Sequence, residues 1–379
     1  MTIQKRLQNR EFVVLAEMNT PKGVDISRFM TDARRIKGRV DGVVVPDMDN
    51  GVMRMSAMAG GVLVQQQGIE ALINVYGRDR NRMALQGDLL AAHVLGIQNL
   101  IVVQGEDMAN SDHRDAMPVD DLDELGLLSA IQSLKSGKDM AGFDLDGNPD
   151  FFVGCHIAPF VNDEGLENEL LLAKEKIASG ARFVVAPPVF DLTHFESFLQ
   201  RAACLNAPII PTVFLIKSVA VARYISTNEP GAHISEEMIR RIRKASDREM
   251  EGVRIAGETI AALKKLAQGV LPIPMGVIGG CHGLGNRGQK QHHDFFMVIG
   301  AFDFITQFIP VFAWHHDIQN YQVRFFLFDL IPGFHAVIGL DHLKIFTFQF
   351  HRNGFNQIRI IVYHQNTFFF THFISPLSI

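Results

Sequence analysis

Apolar positions cluster into eight short runs along the first 276 residues, at 13–17, 42–48, 73–76, 100–106, 151–157, 183–188, 208–214 and 269–276. Most are nearly continuous in Val, Ile, Leu and Phe rather than alternating. That is the signature of parallel strands covered on both faces. Between the runs the apolar period lengthens to that of helices. Residues 26–37 follow the cap Asp25. Residues 81–95 place Met83, Leu85, Leu89, Leu90, Val94 and Leu95 at helical spacing, and 122–134 follow Asp120 and Asp121. In 164–178, Leu166, Leu170, Leu171, Ala173 and Ile177 share one side. A doubled helix over 235–267 opens at Ser235, an N-cap followed by two acids. Gly96, Gly180 and Gly269 are expected where helices stop. Eight strand–helix units favour right-handed crossovers. They predict an α/β fold, a (β/α)8 TIM barrel over 1–276, in preference to an open doubly wound sheet.

Composition divides the chain at the same place. The full chain has 379 residues and a formal net charge of −5. Residues 1–276 hold 36 of the 41 acidic residues, and the last Glu is Glu258. The remaining 103 residues hold 18 of the 29 Phe and 10 of the 15 His. A soluble domain covers itself with Lys, Glu and Asp, and this tail has too few acids to do so. Residues 277–379 are therefore expected to be an atypical Phe/His-rich tail, frameshifted or disordered. A β-rich module and a membrane segment over 295–314 are the rival readings. Asp303 and Gln307 inside that segment make spanning unfavourable.

Charge and cysteine usage narrow the function classes. No basic block points to nucleic acid. Cys155, Cys204 and Cys281 form no CxxC pair, and the adjacent pairs His292-His293 and His315-His316 diverge too far to share a metal. No metal site is expected. Neither the dinucleotide GxGxxG nor the phosphate-loop GxxxxGK[ST] pattern occurs. The polar start carries no apolar leader, so a cytoplasmic location is expected.

Barrel chemistry sits at the C-terminal ends of strands, and here those ends are polar. The first run ends at Glu17, the second at Asp47 and Asp49. The third leads into Arg78-Asp79-Arg80-Asn81-Arg82, and the fourth ends Gln104-Gly105-Glu106-Asp107. The fifth holds His156, the sixth leads to Asp191 and the seventh to Lys217. Glu17 follows Val-Val-Leu-Ala directly. A carboxyl at the mouth of an apolar barrel has its pKa raised by desolvation, which suits a general acid.

Several segments resemble the methylenetetrahydrofolate reductase family. They are Glu17-Met-Asn-Thr-Pro-Lys-Gly, the long stretch from Arg78-Asp-Arg-Asn-Arg-Met to His93-Val-Leu-Gly-Ile, Ala178-Ser-Gly-Ala-Arg-Phe with Pro188-Val-Phe-Asp, and Ile210-Pro-Thr-Val with Lys217-Ser-Val-Ala-Val-Ala-Arg. The likeness runs from about residue 10 to 276. It implies a barrel holding non-covalent FAD that reduces 5,10-methylenetetrahydrofolate to 5-methyltetrahydrofolate by hydride transfer. Glu17 stands where the family has its general acid. Glu106, after Gly105, stands where an acid lies near the flavin pyrimidine ring and favours hydride donation. Asn74, Asp79 and His156 fall at cofactor-contact positions, Glu169 and Lys176 on the adenylate side, and Lys217 near the substrate. The electron donor implied is NAD(P)H or an iron–sulfur protein. One departure is Pro187, at the position of a folate-binding Gln. It supports an alternative: a flavin- or partner-binding barrel in a methyl-transfer or electron-transfer complex, without reductase activity of its own.

Overall fold

The computed structural model describes residues 1–273 apart from 106 and 233, and the backbones of 344–352, 355–364 and 367–374. Eight parallel strands follow one another in chain order: β1 (Val13–Glu17), β2 (Gly42–Val45), β3 (Glu70–Val75), β4 (Asn99–Val102), β5 (Phe152–His156), β6 (Phe183–Pro188), β7 (Ile209–Phe214) and β8 (Gly269–Ile273). β8 pairs back onto β1 through Val13↔Gly269 and Val14↔Val270, which closes the barrel. The described helices of this part are α1 (Ile3–Gln8), α2 (Ser27–Ile36), α3 (Ala57–Gln66), α4 (Arg82–Val94), α5 (Glu124–Lys135), α6 (Asp163–Ala178), α7 (Leu192–Ala202), α8 (Val219–Asn228), α9 (Glu236–Lys244) and α10 (Arg248–Leu263). The expected (β/α)8 barrel is the observed one.

The continuous apolar strands serve two cores at once. Val13, Leu15, Val44, Leu72, Ile101, Phe152, Phe183, Val185, Ile210 and Leu271 fill the barrel interior. Their neighbours in sequence, among them Val43, Ile73, Leu100, Val153 and Val184, pack outward against the helices. Successive strand residues face opposite sides. The interior set therefore extends by alternation to Glu17 after Leu15, Asn74 after Leu72, His156 after Phe152 and Gly154, and Thr212 after Ile210.

Helix α1 decides which end is open. Its Ile3 and Leu7 join the interior cluster. A Cβ on Gly42, the first residue of β2, would lie 2.4 Å from Ile3 Cδ1. The Ile3 amide donates to Glu70 Oε2 at 2.9 Å, at the start of β3. The helix plugs the N-terminal mouth, which leaves the polar strand ends at the other mouth.

Four details differ from the pattern-based expectation. The N-cap position of α2 is Ile26, without a side-chain cap bond, rather than Asp25, which accepts from Ser27 N at 3.0 Å. The N-cap of α5 is Asp123, accepting from Gly126 N at 2.7 Å, rather than Asp120 or Asp121. Gly269 opens β8, while α10 has already stopped at Leu263. Helices α1, α3, α7 and α8 were not singled out by periodicity. In α3, Gly60 and Gly61 weaken the helical signal. They are needed for packing: a Cβ on Gly60 would meet Thr20 Cγ2 at 2.6 Å and Val45 Cγ1 at 2.8 Å.

The chain divides into compact units Met1–Pro310 and Val311–Ile379. In the second, β9 (Lys344–Arg352), β10 (Phe355–His364) and β11 (Thr367–Ile374) form an antiparallel sheet in the order β11-β10-β9. The segment 295–314 lies outside the described residues. No described helix is long and apolar enough to cross a membrane.

Candidate functional site

Glu17 ends β1 on the inner face of the barrel and is 9% exposed. Burial is the largest influence on its carboxyl, with the Asp49 carboxylate second. Together they outweigh the Arg54 guanidinium and raise its pKa from 4.5 to about 8. At neutral pH this group carries a proton. The residues around it come from the loops after β1 and β2. Arg54 Nη1 donates to the Thr20 carbonyl at 3.2 Å. The Thr20 hydroxyl donates to the Met55 carbonyl, and the Met55 amide to the Pro21 carbonyl at 3.0 Å. The loop after β4 closes the third side: Asp112 pairs with Lys22 and accepts from Met53 N at 3.2 Å.

The ends of β2 and β3 are held by charge. Asp47 Oδ1 accepts from Ala57 N at 2.9 Å, at the first turn of α3, and its Oδ2 from Arg80 Nη1 at 2.8 Å. Arg80 Nε also reaches Asp88 at 3.1 Å. A cavity of about 230 Å³ beside this network is bordered by Asp47, Asn74, Arg80 and Asp88. Asn74 is 8% exposed, and its Oδ1 is buried with no hydrogen-bond partner. A buried acceptor left unpaired costs about 1–3 kcal/mol, so this amide is arranged for a donor that the described residues do not supply. Asp79 grips the buried Arg78 through two bonds, Nε–Oδ1 at 2.7 Å and Nη2–Oδ2 at 2.9 Å. Gly105 packs on the stem of the same arginine: a Cβ there would lie 2.7 Å from Arg78 Cβ. Glu106 lies outside the described residues.

On the β5 side, desolvation and then the Lys176 ammonium lower the His156 imidazole to about 4, so it is neutral. Lys176 is 2% exposed. Its Nζ meets Glu124 at 2.8 Å to Oε1 and 2.7 Å to Oε2, and donates to the His156 carbonyl at 3.0 Å. An ammonium has three donors, and this arrangement employs all of them. Glu169 accepts from Ala158 N at 2.9 Å and so fixes the chain leaving β5. Lys217 is half-buried between the end of β7 and Ser218, the N-cap of α8. Pro187 sits at a register shift of β6 against β7, where Ala186 pairs with Pro211 and Pro188 with Thr212. A bulge is one place a strand tolerates proline, since no ladder donor is lost.

Glu17, Asn74 and His156 thus end on one inner face at one mouth. The family model for methylenetetrahydrofolate reductase matches residues 2–274. The chain belongs to this family. Among solved structures it resembles an uncharacterised protein from Clostridium thermocellum that binds two copies of 5-methyl-5,6,7,8-tetrahydrofolic acid. The identity is 14% and the TM-score 0.53, over 79% of this chain and 97% of that one. That likeness is one of fold. An EDTA monooxygenase from a Chelativorans species matches more loosely, at 8% identity and a TM-score of 0.44, over 77% of this chain and 94% of its own. No curated protein matches by sequence.

For a member of the methylenetetrahydrofolate reductase family, the sequence reading missed Arg54 and Thr20. Arg54 sits in a loop between runs, nine residues beyond the end of β2, and no periodic signal marks it. It is found only once the loops after β1 and β2 are seen to interlock.

Proposed function

We propose that this chain reduces 5,10-methylenetetrahydrofolate to 5-methyltetrahydrofolate with FAD as its redox cofactor. The family supports a folate-related reductase. The observation that carries the specific reading is Glu17, a carboxyl that keeps its proton to about pH 8 on the inner face of the open mouth. Opening the five-membered ring breaks the bond between the bridging carbon and N10. The departing nitrogen needs a proton, and Glu17 in its neutral form donates one. Reduced FAD, when bound, supplies the hydride that the carbon then accepts. The Asp49 carboxylate and the Arg54 guanidinium act on Glu17 in opposite directions, the first favouring its protonated form and the second its carboxylate.

The chain's own groups fit such a cofactor. The unpaired Asn74 Oδ1 offers an acceptor to a ring N–H. Gly105 lets the backbone after β4 pack directly on the Arg78 stem. Glu106 adds the fixed negative charge proposed for the pyrimidine end. His156, held neutral, offers a planar wall without adding charge. Asp79 acts through Arg78. Glu169 and Lys176 belong to the adenylate side, where Lys176 positions the end of β5. Lys217 is proposed to meet the substrate. Electrons come from NAD(P)H or from an iron–sulfur protein.

Pro187 favours a second reading. A proline gives a pterin no side-chain hydrogen bond, and a site that loses a polar partner loses discrimination. The chain would then be a flavin- or partner-binding subunit in a methyl-transfer or electron-transfer complex. Binding of a methylfolate by the C. thermocellum neighbour is compatible with it. The visible spectrum of the purified chain tests both. A flavin spectrum, with anaerobic reoxidation by methylenetetrahydrofolate and formation of the methyl product, supports the reductase. Flavin without reoxidation supports the subunit, and absence of flavin contradicts the reductase and the flavin-binding subunit alike.

A further inference from the structure

Helix α4, in the outer layer of the barrel, is apolar on both sides. Leu85, Leu89 and Ala92 are buried against the core. The side turned away from them carries Met83, Ala84, Gly87, Leu90, Ala91 and Val94, and none of these is charged. Met83 is 77% exposed and Val94 83%. The outward face of a surface helix is ordinarily polar. The apolar surface continues onto the turn before β5. There the Met140 amide donates to Gln86 Oε1 at 2.8 Å, and Phe143 is 73% exposed. Exposed apolar side chains grouped in this way mark an interaction surface.

Gly87 stands at the centre of the stripe. A Cβ there would meet nothing within 4 Å, so packing within one copy does not call for glycine. Helix propensity opposes it in the middle of a helix. What a glycine gives at that point is room for a second backbone to come close.

We propose that this face of α4 binds the same face of a second copy of the chain, the two helices lying antiparallel about a two-fold axis at Gly87. Such a contact is self-complementary by symmetry. The face offers no charge for an acidic or a basic partner to meet, and pairing with itself sets apolar area against apolar area. With the axis at Gly87, Met83 of each copy comes beside Leu90 of the other, and Ala84 beside Ala91. Large side chains fill one edge of the contact, and small ones let the helices approach at the other edge. Antiparallel alignment also places the positive N-terminus of each helix beside the negative C-terminus of its mate. A stable dimer buries about 800 Å² on each partner. A helix of 13 residues is about 20 Å long, and one face of it supplies only part of that area, so the turn carrying Phe143 belongs to the contact. The contact is independent of the flavin and folate reading.

Sedimentation of the full chain over a range of concentrations is the test. The parent is expected to form a dimer that dissociates on dilution. Met83→Glu puts a charge at an exposed position and should raise the dissociation constant at least tenfold. Gly87→Leu, which meets open space in the single copy, should do the same. Both variants should keep the parent's circular dichroism spectrum. A parent that is monomeric at every concentration, as it would be were the face covered by another protein or by the chain's own tail, would overturn the proposal. So would self-association that either variant leaves unchanged.

Discussion

Glu17 is held in a position that costs stability whenever it is ionised. The unfolded chain releases this proton near 4.5, and the folded chain near 8. The folded state therefore binds the proton more tightly. Stability from this group is full below about 4.5 and is lost as pH rises through about 8. Glu17→Gln keeps the shape and removes the charge. We expect the variant to be more stable than the parent at pH 9, by an amount on the order of a few kcal/mol, and equal to it near pH 4. Denaturation midpoints across that range measure it, and a parallel pH dependence in the two proteins would show that the carboxyl is not buried as described. The residue was legible in the sequence because an acid ends an apolar run there. Its electrostatic surroundings were not, since Arg54 reaches it through tertiary contact alone.

At the scale of elements, the ends of the strands are set by polar fasteners that are themselves buried. Lys176 joins α6 to α5 through Glu124 and to the end of β5 through the His156 carbonyl. Lys176→Met would leave Glu124 in the interior without its counter-charge. A loss of about 3–5 kcal/mol is expected in urea unfolding at neutral pH. The loss should shrink in acid as Glu124 takes up a proton, and a loss that is small and independent of pH would contradict this role. Strand positions were readable from the apolar runs, yet several runs continued past the strand. The run over 100–106 ends as β4 at Val102, because the chain then leaves the ladder for the polar loop that reaches Lys22 and Gly51. Helix α3 escaped for the opposite reason. Its glycines serve close packing, and packing is not visible in periodicity.

Residues 1–273 form a cylinder closed at one mouth and lined with polar strand ends at the other. Closure depends on α1, six residues that the sequence marked only as a polar start. Its apolar positions, Ile3 and Leu7, are too few to show a helical period. Ile3 is fully buried, so Ile3→Ala should cost about 2–5 kcal/mol in thermal or urea unfolding. A change under about 0.5 kcal/mol, the range typical of surface substitutions, would show that the plug is dispensable. The composition break located the end of the family-like part well, since the family model stops at residue 274. The reading of 277–379 as out of frame remains a proposal, and the intact mass with a resequenced reading frame tests it.

The measurement that bears most directly on the proposed chemistry is the single-turnover rate at which methylenetetrahydrofolate reoxidises the reduced protein, followed against pH for the parent and for Glu17→Gln. The account predicts a parent rate that falls as pH rises through about 8, and a variant slower by about 10²–10⁴ that lacks this limb. A variant that matches the parent in both rate and pH profile would remove Glu17 from the reaction.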